Sequence, residues 1–163
     1  MSNTTFSGPI RSGTQRYGSN TVVNTGTATL AQSVTIPFSA MTTTPTAQVL
    51  FVLPAGSKVV RFNEEVVTAI SGNGVTNVGV TIGDSGTANK YVTTHNTGVT
   101  SVKVPQATID AAMVVAQTNN IGATDVVVYG TFTAATGNPT AGSIVVTVEY
   151  MQRNADGSTT LSA

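Results

Sequence analysis

From Leu30 the chain alternates between apolar and polar positions. Leu30, Gln32, Val34, Ile36 and Phe38 fall on one side and Ala31, Ser33, Thr35 and Pro37 on the other, a two-residue period that predicts a strand with one mostly apolar face. Pro37 places the end of that strand at a sheet rim, because proline has no N–H to give to a ladder. Gln48 to Leu53 (QVLFVL) is apolar on both faces, which predicts a strand covered on both sides, by the domain itself or by a partner subunit. After a Pro54-Ala55-Gly56-Ser57 turn comes a longer strand, with Val60, Phe62, Val66 and Ile70 on one face and Val59, Arg61, Asn63, Glu65 and Val67 on the other. Strict alternation would put Glu64 among the apolar residues, and a bulge near Asn63-Glu64 would relieve that conflict.

The remaining segments follow the same rule. Ser71-Gly72-Asn73-Gly74 is a turn, Val78, Val80 and Ile82 define a strand, and Gly83-Asp84-Ser85-Gly86 closes it. Short strands are expected at Asn89 to Thr94 and at Val99 to Val104, and His95 falls in a polar surface loop. Residues 106–117 suit a short helix through Ile109, Ala112, Met113 and Ala116, or a strand through Val114-Val115. Val126, Val128 and Phe132 mark a strand with Gly130 inside it, and Ile144, Val146, Val148 and Tyr150 mark the last and cleanest one. About eight strands without β–helix–β alternation predict an all-β sandwich. A two-sheet jelly roll is the first choice and an immunoglobulin-like β-sandwich the alternative.

Residues 1–29 hold almost nothing that could form a core. Phe6, Ile10, Tyr17, Val22 and Val23 stand alone among Ser, Thr, Gly and Asn, so the segment reads as an extended N-terminal arm. In that arm Phe6, Ile10 and Tyr17 are candidate anchors on a partner, with Arg11 and Arg16 as polar contacts. The domain organisation expected is therefore an arm at 1–29, a β domain at 30–152 and a polar tail at 153–163.

Composition sharpens this picture. Charged residues are only 9% of the chain, well under the usual quarter or so, and threonine, serine, asparagine, glutamine and glycine cover the surface instead. Threonine is β-branched and suits the wet face of a strand. A formal net charge of zero and 40% hydrophobic residues argue against disorder. The same neutrality removes repulsion between copies and argues against nucleic acid as a partner. There is no cysteine, which excludes disulfides and thiolate metal sites and points to synthesis in a reducing compartment. The start Met1-Ser2-Asn3-Thr4-Thr5 does not look like a signal peptide, and no apolar run reaches the ~18 residues of a membrane helix, so no membrane association is expected.

Little of the sequence suggests a reaction. His95 is the only histidine, and no Gly-x-Ser-x-Gly elbow offers it a nucleophile. Glu64 and Glu65 adjoin, but neighbours on a strand face opposite ways and cannot act as an acid–base pair. The loop Gly83 to Lys90 carries oxygens on Asp84, Ser85, Thr87 and Asn89, yet calcium sites concentrate carboxylates and this loop has one. No catalytic residue, metal site or cofactor is expected, and the chain reads as a binding protein.

Several phrases together resemble a known family. Phe6-Ser7-Gly8-Pro9-Ile10-Arg11-Ser12-Gly13 is similar to the opening of many small virion structural proteins of tailed phages. Leu53-Pro54-Ala55-Gly56 followed by Val66-Val67-Thr68-Ala69-Ile70 resembles a hairpin of the same proteins, and Val80-Thr81-Ile82-Gly83-Asp84-Ser85-Gly86 resembles one of their turns. Asp125-Val126-Val127-Val128-Tyr129-Gly130-Thr131-Phe132-Thr133, then Ala141-Gly142 before the last strand, resembles their ending. The phrases run in the family's order along nearly the whole chain. Val127 stands where proline is frequent, and 106–117 has no counterpart.

The resemblance implies a jelly-roll capsid decoration, or cement, protein made in the host cytoplasm and carried on the exterior of the virion. Its implied partners are the major capsid protein and itself, as a homotrimer. On that reading Phe6, Pro9, Ile10, Arg11, Arg16 and Tyr17 form the capsid-binding arm. Val49, Phe51 and Leu53 are candidates for an oligomer contact or for the core between two sheets. A receptor-binding or glycan-binding head-fibre or tail module is the alternative, poorly served by four tyrosines and no tryptophan.

Overall fold

A computed structural model of the chain describes residues 28–100, 103–105 and 121–152. The N-terminal segment 1–27, residues 106–117 with their open choice of helix or strand, and the tail 153–163 lie outside the described residues. Eight strands run in order: β1 (Ala28–Pro37), β2 (Gln48–Leu53), β3 (Lys58–Ser71), β4 (Val78–Gly83), β5 (Val92–Thr97), β6 (Lys103–Pro105), β7 (Val126–Ala134) and β8 (Ala141–Gln152). A single 3-10 turn at Phe38–Ala40 is the one helical element among the described residues.

The strands form two four-stranded sheets, β1-β8-β3-β6 and β2-β7-β4-β5, here called sheet A and sheet B. Every strand pairing is antiparallel. This order is that of two interlocked Greek keys, a jelly roll. The immunoglobulin-like alternative would keep the first two strands in one sheet, whereas β1 and β2 lie in different ones.

The links between sheets are the turns that sequence chemistry predicts. Gly56 takes φ 74° after Pro54, and the N–H of Ser57 donates to the Pro54 carbonyl at 3.1 Å. At the β3–β4 turn, Asn73 and Gly74 take φ 47° and 74°, and the N–H of Val75 donates to Gly72 at 3.1 Å, the primed geometry that favours Asn-Gly.

Between the sheets lies one core. Val59, Phe62, Val66, Ile144, Val146 and Val148 enter it from sheet A, and Phe51, Leu53, Val78, Val80, Ile82, Val128 and Phe132 from sheet B. Rings of Phe51 and Phe62 lie 6.4 Å apart and those of Phe62 and Tyr91 5.6 Å, a tilted aromatic chain across the sandwich. Met41, which opens the otherwise polar stretch Met41-Thr42-Thr43-Thr44-Pro45, is fully buried with them. Gln32, polar on an otherwise apolar face, donates from Nε2 to Tyr150 Oη at 3.0 Å and to the Val52 carbonyl at 3.3 Å. One amide thus joins the edge strands of the two sheets.

Strand β3 slips its register against β8 at three points: between Val59 and Arg61, between Val66 and Thr68, and between Thr68 and Ser71. The first slip falls at Val60 rather than at Asn63-Glu64, so Val59 turns into the core and Val60 outward. From Arg61 to Val66 the pairing is unbroken, which leaves Phe62, Glu64 and Val66 on the inner face. Glu64 is therefore buried, as plain alternation dictates. Strand β5 also runs later than the expected Asn89–Thr94, and it carries His95 on the strand rather than in a surface loop.

Candidate interaction surface

The outer faces of the two sheets differ in kind. Sheet A presents Arg61 and Glu149, joined at 2.6 Å, with Asn63 Nδ2 3.4 Å from the same carboxylate. No residue of β2, β4, β5 or β7 is Asp, Glu, Lys or Arg, so sheet B has no such charge anywhere in its strands. Its outer face is lined by threonines, with Thr81 and Thr94 hydroxyls 2.8 Å apart, and by a group of valines at the β2 edge.

That valine group depends on a backbone irregularity. Val49 and Val52 are three residues apart and would face opposite ways in a regular strand. The β2–β7 register slips between Val49 and Phe51, so Leu50 and Phe51 are both buried while Val49 and Val52 both face out. Val52 lies opposite Val127, and Val49 opposite Tyr129. Exposures of 60% for Val49, 49% for Val52 and 37% for Val127 make this the place in sheet B where large apolar side chains meet water. Of the three residues predicted at an oligomer contact, Val49 is on this surface. Phe51 and Leu53 belong to the inter-sheet core, which is why QVLFVL reads as apolar on both faces. Val52 and Val127 complete the surface, and the register slip that aligns them leaves no mark in the sequence. The arm residues Phe6, Pro9, Ile10, Arg11, Arg16 and Tyr17 lie outside the described residues.

Inside the sandwich the structure pairs two residues that the sequence keeps apart. His95 Nε2, entering from β5, comes to 2.9 Å of Glu64 Oε2, entering from β3. This ion pair spans the two sheets near their β5 and β6 edges, with 5% of the Glu64 side chain exposed and 32% of the His95 side chain. Oε2 makes no other hydrogen bond among the described residues. The neighbouring Glu64 carboxylate raises the His95 pKa above its ordinary 6.5, against the opposing effect of burial. No serine hydroxyl is bonded to the imidazole among the described hydrogen bonds, whose remaining contact is the Thr93 carbonyl at 3.4 Å from Nδ1. The pair is a brace between sheets.

The Asp84 loop also closes on itself. Oδ1 accepts from the N–H groups of Gly86 at 2.9 Å and Thr87 at 2.8 Å, and Oδ2 from Lys90 Nζ at 2.6 Å. Partial burial works to raise the Asp84 pKa, but these donors outweigh it and hold the carboxyl below its ordinary value. Both oxygens are engaged in shaping the turn, and Lys90 in addition lies 5.6 Å from the Tyr91 ring centroid. Among the described residues no three His, Asp or Glu side chains gather as a metal site would require, and no helix is long and apolar enough to cross a membrane.

With the jelly roll and its two unlike faces established, solved structures supply a counterpart. A chain of the cyanophage Pam1 capsid asymmetric unit superposes with a TM-score of 0.56 at 21% identity, covering 91% of this chain and 97% of that one. The two share a fold along their length. A chain from the acidic stable capsid structure of Helicobacter pylori bacteriophage KHP30 aligns at TM-score 0.42 and 17% identity, over 78% of this chain and 94% of that one. No protein-family model and no curated protein matches the sequence.

Proposed function

We propose that this chain is a structural component of a tailed-phage virion that binds the outer capsid surface and bridges major capsid protein subunits, acting as a cement protein without catalysis. The observation that carries the reading is the fold shared with a cyanophage capsid chain over 97% of that chain, alongside phage-virion phrases in the same order along this sequence. The interior agrees with it. The only histidine braces the sheets, and the loop carboxylate of Asp84 holds its own turn.

Bridging stabilises a shell by mass action, because a protein that binds only assembled subunits lowers the free energy of the assembled state. Many symmetric copies turn modest contacts into firm attachment. In this reading the arm with Phe6, Pro9, Ile10, Arg11, Arg16 and Tyr17 grips the capsid, the β domain stands above it, and three copies associate. An arm covers much area for few residues, at the cost of being ordered on binding.

Co-sedimentation with capsids stripped of this protein tests the proposal, using the full chain and a form lacking residues 1–20. Saturable binding that is lost on truncation is expected. Binding that survives truncation keeps the capsid as partner and moves the contact onto the β domain. Absence of binding in both forms overturns the proposal and favours a receptor-binding or glycan-binding module.

A further inference from the structure

The outer face of sheet B is an uncharged surface with exposed valines at one edge, and the proposed function does not use it. Three features define what could cover it. The face is broad: four strands about 4.8 Å apart and about six residues long give roughly 400 Å² before side-chain relief is counted. It is neutral, since none of its strands carries Asp, Glu, Lys or Arg and His95 of β5 turns inward to Glu64. And it is apolar where β2 meets β7, at Val49, Val52 and Val127.

Breadth selects the occupant. Specific contacts begin at about 500 Å² per partner, so the whole face must be covered and not the valines alone. A single extended segment is one strand wide and leaves most of the face in water. A flat, folded surface covers it. Charge selects further. A strongly charged partner would lose hydration here and gain no opposite charge in return. A second copy of this chain has zero net charge, a threonine-rich surface and no cost of this kind.

We propose that the outer face of sheet B, centred on Val49, Val52 and Val127, is the contact between copies of this chain. The proposal assigns the self-association in the function above to a face, and it leaves in water the outer face of sheet A, where the exposed Val60 and Val67 are accompanied by the Arg61–Glu149 ion pair. Of the residues read as either oligomer contact or inter-sheet core, Phe51 and Leu53 take the core, and Val52 and Val127 join Val49 on this face.

The test is the mass of the full-length protein in solution by light scattering, with no capsid present. Wild type is expected at a multiple of the 16.6 kDa chain: twice it where two such faces meet each other, three times it where each face packs on a different surface of the next copy. The double variant Val52→Lys, Val127→Lys places charges on exposed sites, so the fold is kept and the mass falls to that of one chain, with unchanged far-ultraviolet circular dichroism. Val67→Lys, at an exposed valine of sheet A, leaves the mass unchanged. A monomeric wild type overturns the proposal even if that protein binds capsids, in which case the cement reading stands alone. A double variant that keeps its mass but no longer co-sediments also overturns it, and gives the face to the capsid. An oligomer dissociated by the double variant supports the proposal whether or not capsids are bound.

Discussion

A glutamate facing the inside of a β-sandwich costs free energy unless something meets its charge, and His95 meets that of Glu64 at 2.9 Å. Because the histidine pKa is raised in the fold, its contribution to stability is fully present below the ordinary 6.5 and is lost as pH rises through the folded value. Replacing His95→Gln removes the positive charge and leaves the carboxylate buried. It is expected to cost about 1–3 kcal/mol at about pH 6, read from urea midpoints, and distinctly less at about pH 9. A difference that does not change with pH would show that the contact carries no charge. Strict alternation pointed Glu64 inward, but the bulge expected at Asn63-Glu64 to turn it out does not form, so its burial was only half legible. His95 was not legible, because its polar neighbours Thr93, Thr94, Asn96 and Thr97 hide a strand at the sheet edge, where half-burial weakens any apolar pattern.

Single extra residues in β2 and β3 decide which side chains each strand presents. The slip at Leu50 turns two successive residues of β2, Leu50 and Phe51, inward, and Gly130 of β7 supplies the room. A Cβ built on Gly130 would sit 2.7 Å from Leu50 Cδ1 and 3.0 Å from the Phe132 ring. Gly130→Val is therefore expected to destabilise the domain by about 1–3 kcal/mol through overpacking, measured by thermal or urea unfolding. An unchanged midpoint would mean that the bulged leucine is free to move aside. Strands with clean alternation, such as β8 through Ile144, Val146, Val148 and Tyr150, could be read with their faces from sequence. In β2 and β3 the strands could be read but the faces only in part. A register slip is a property of two paired strands, and neither strand's sequence contains it.

At the scale of the molecule, the count of about eight strands and the spacing of their turns made a jelly roll the first choice, and the structure carries β2, β3 and β4 alternately from one sheet to the other through the turns at Pro54 and Asn73. The difference between the two outer faces was not visible, since it emerges only when strands far apart in sequence are gathered into one sheet. The proposals rest on that difference, with the neutral face assigned to neighbouring copies and the arm at 1–29 to the shell. If the protein bridges capsid subunits, the bound state must be harder to open than the bare one. The direct measurement is the temperature at which capsids release their DNA, followed by dye fluorescence, with the protein absent and then at saturation. The account predicts a rise of several degrees on saturation. Saturable binding with no change in the release temperature would contradict it, because the protein would then sit on the shell without holding it together.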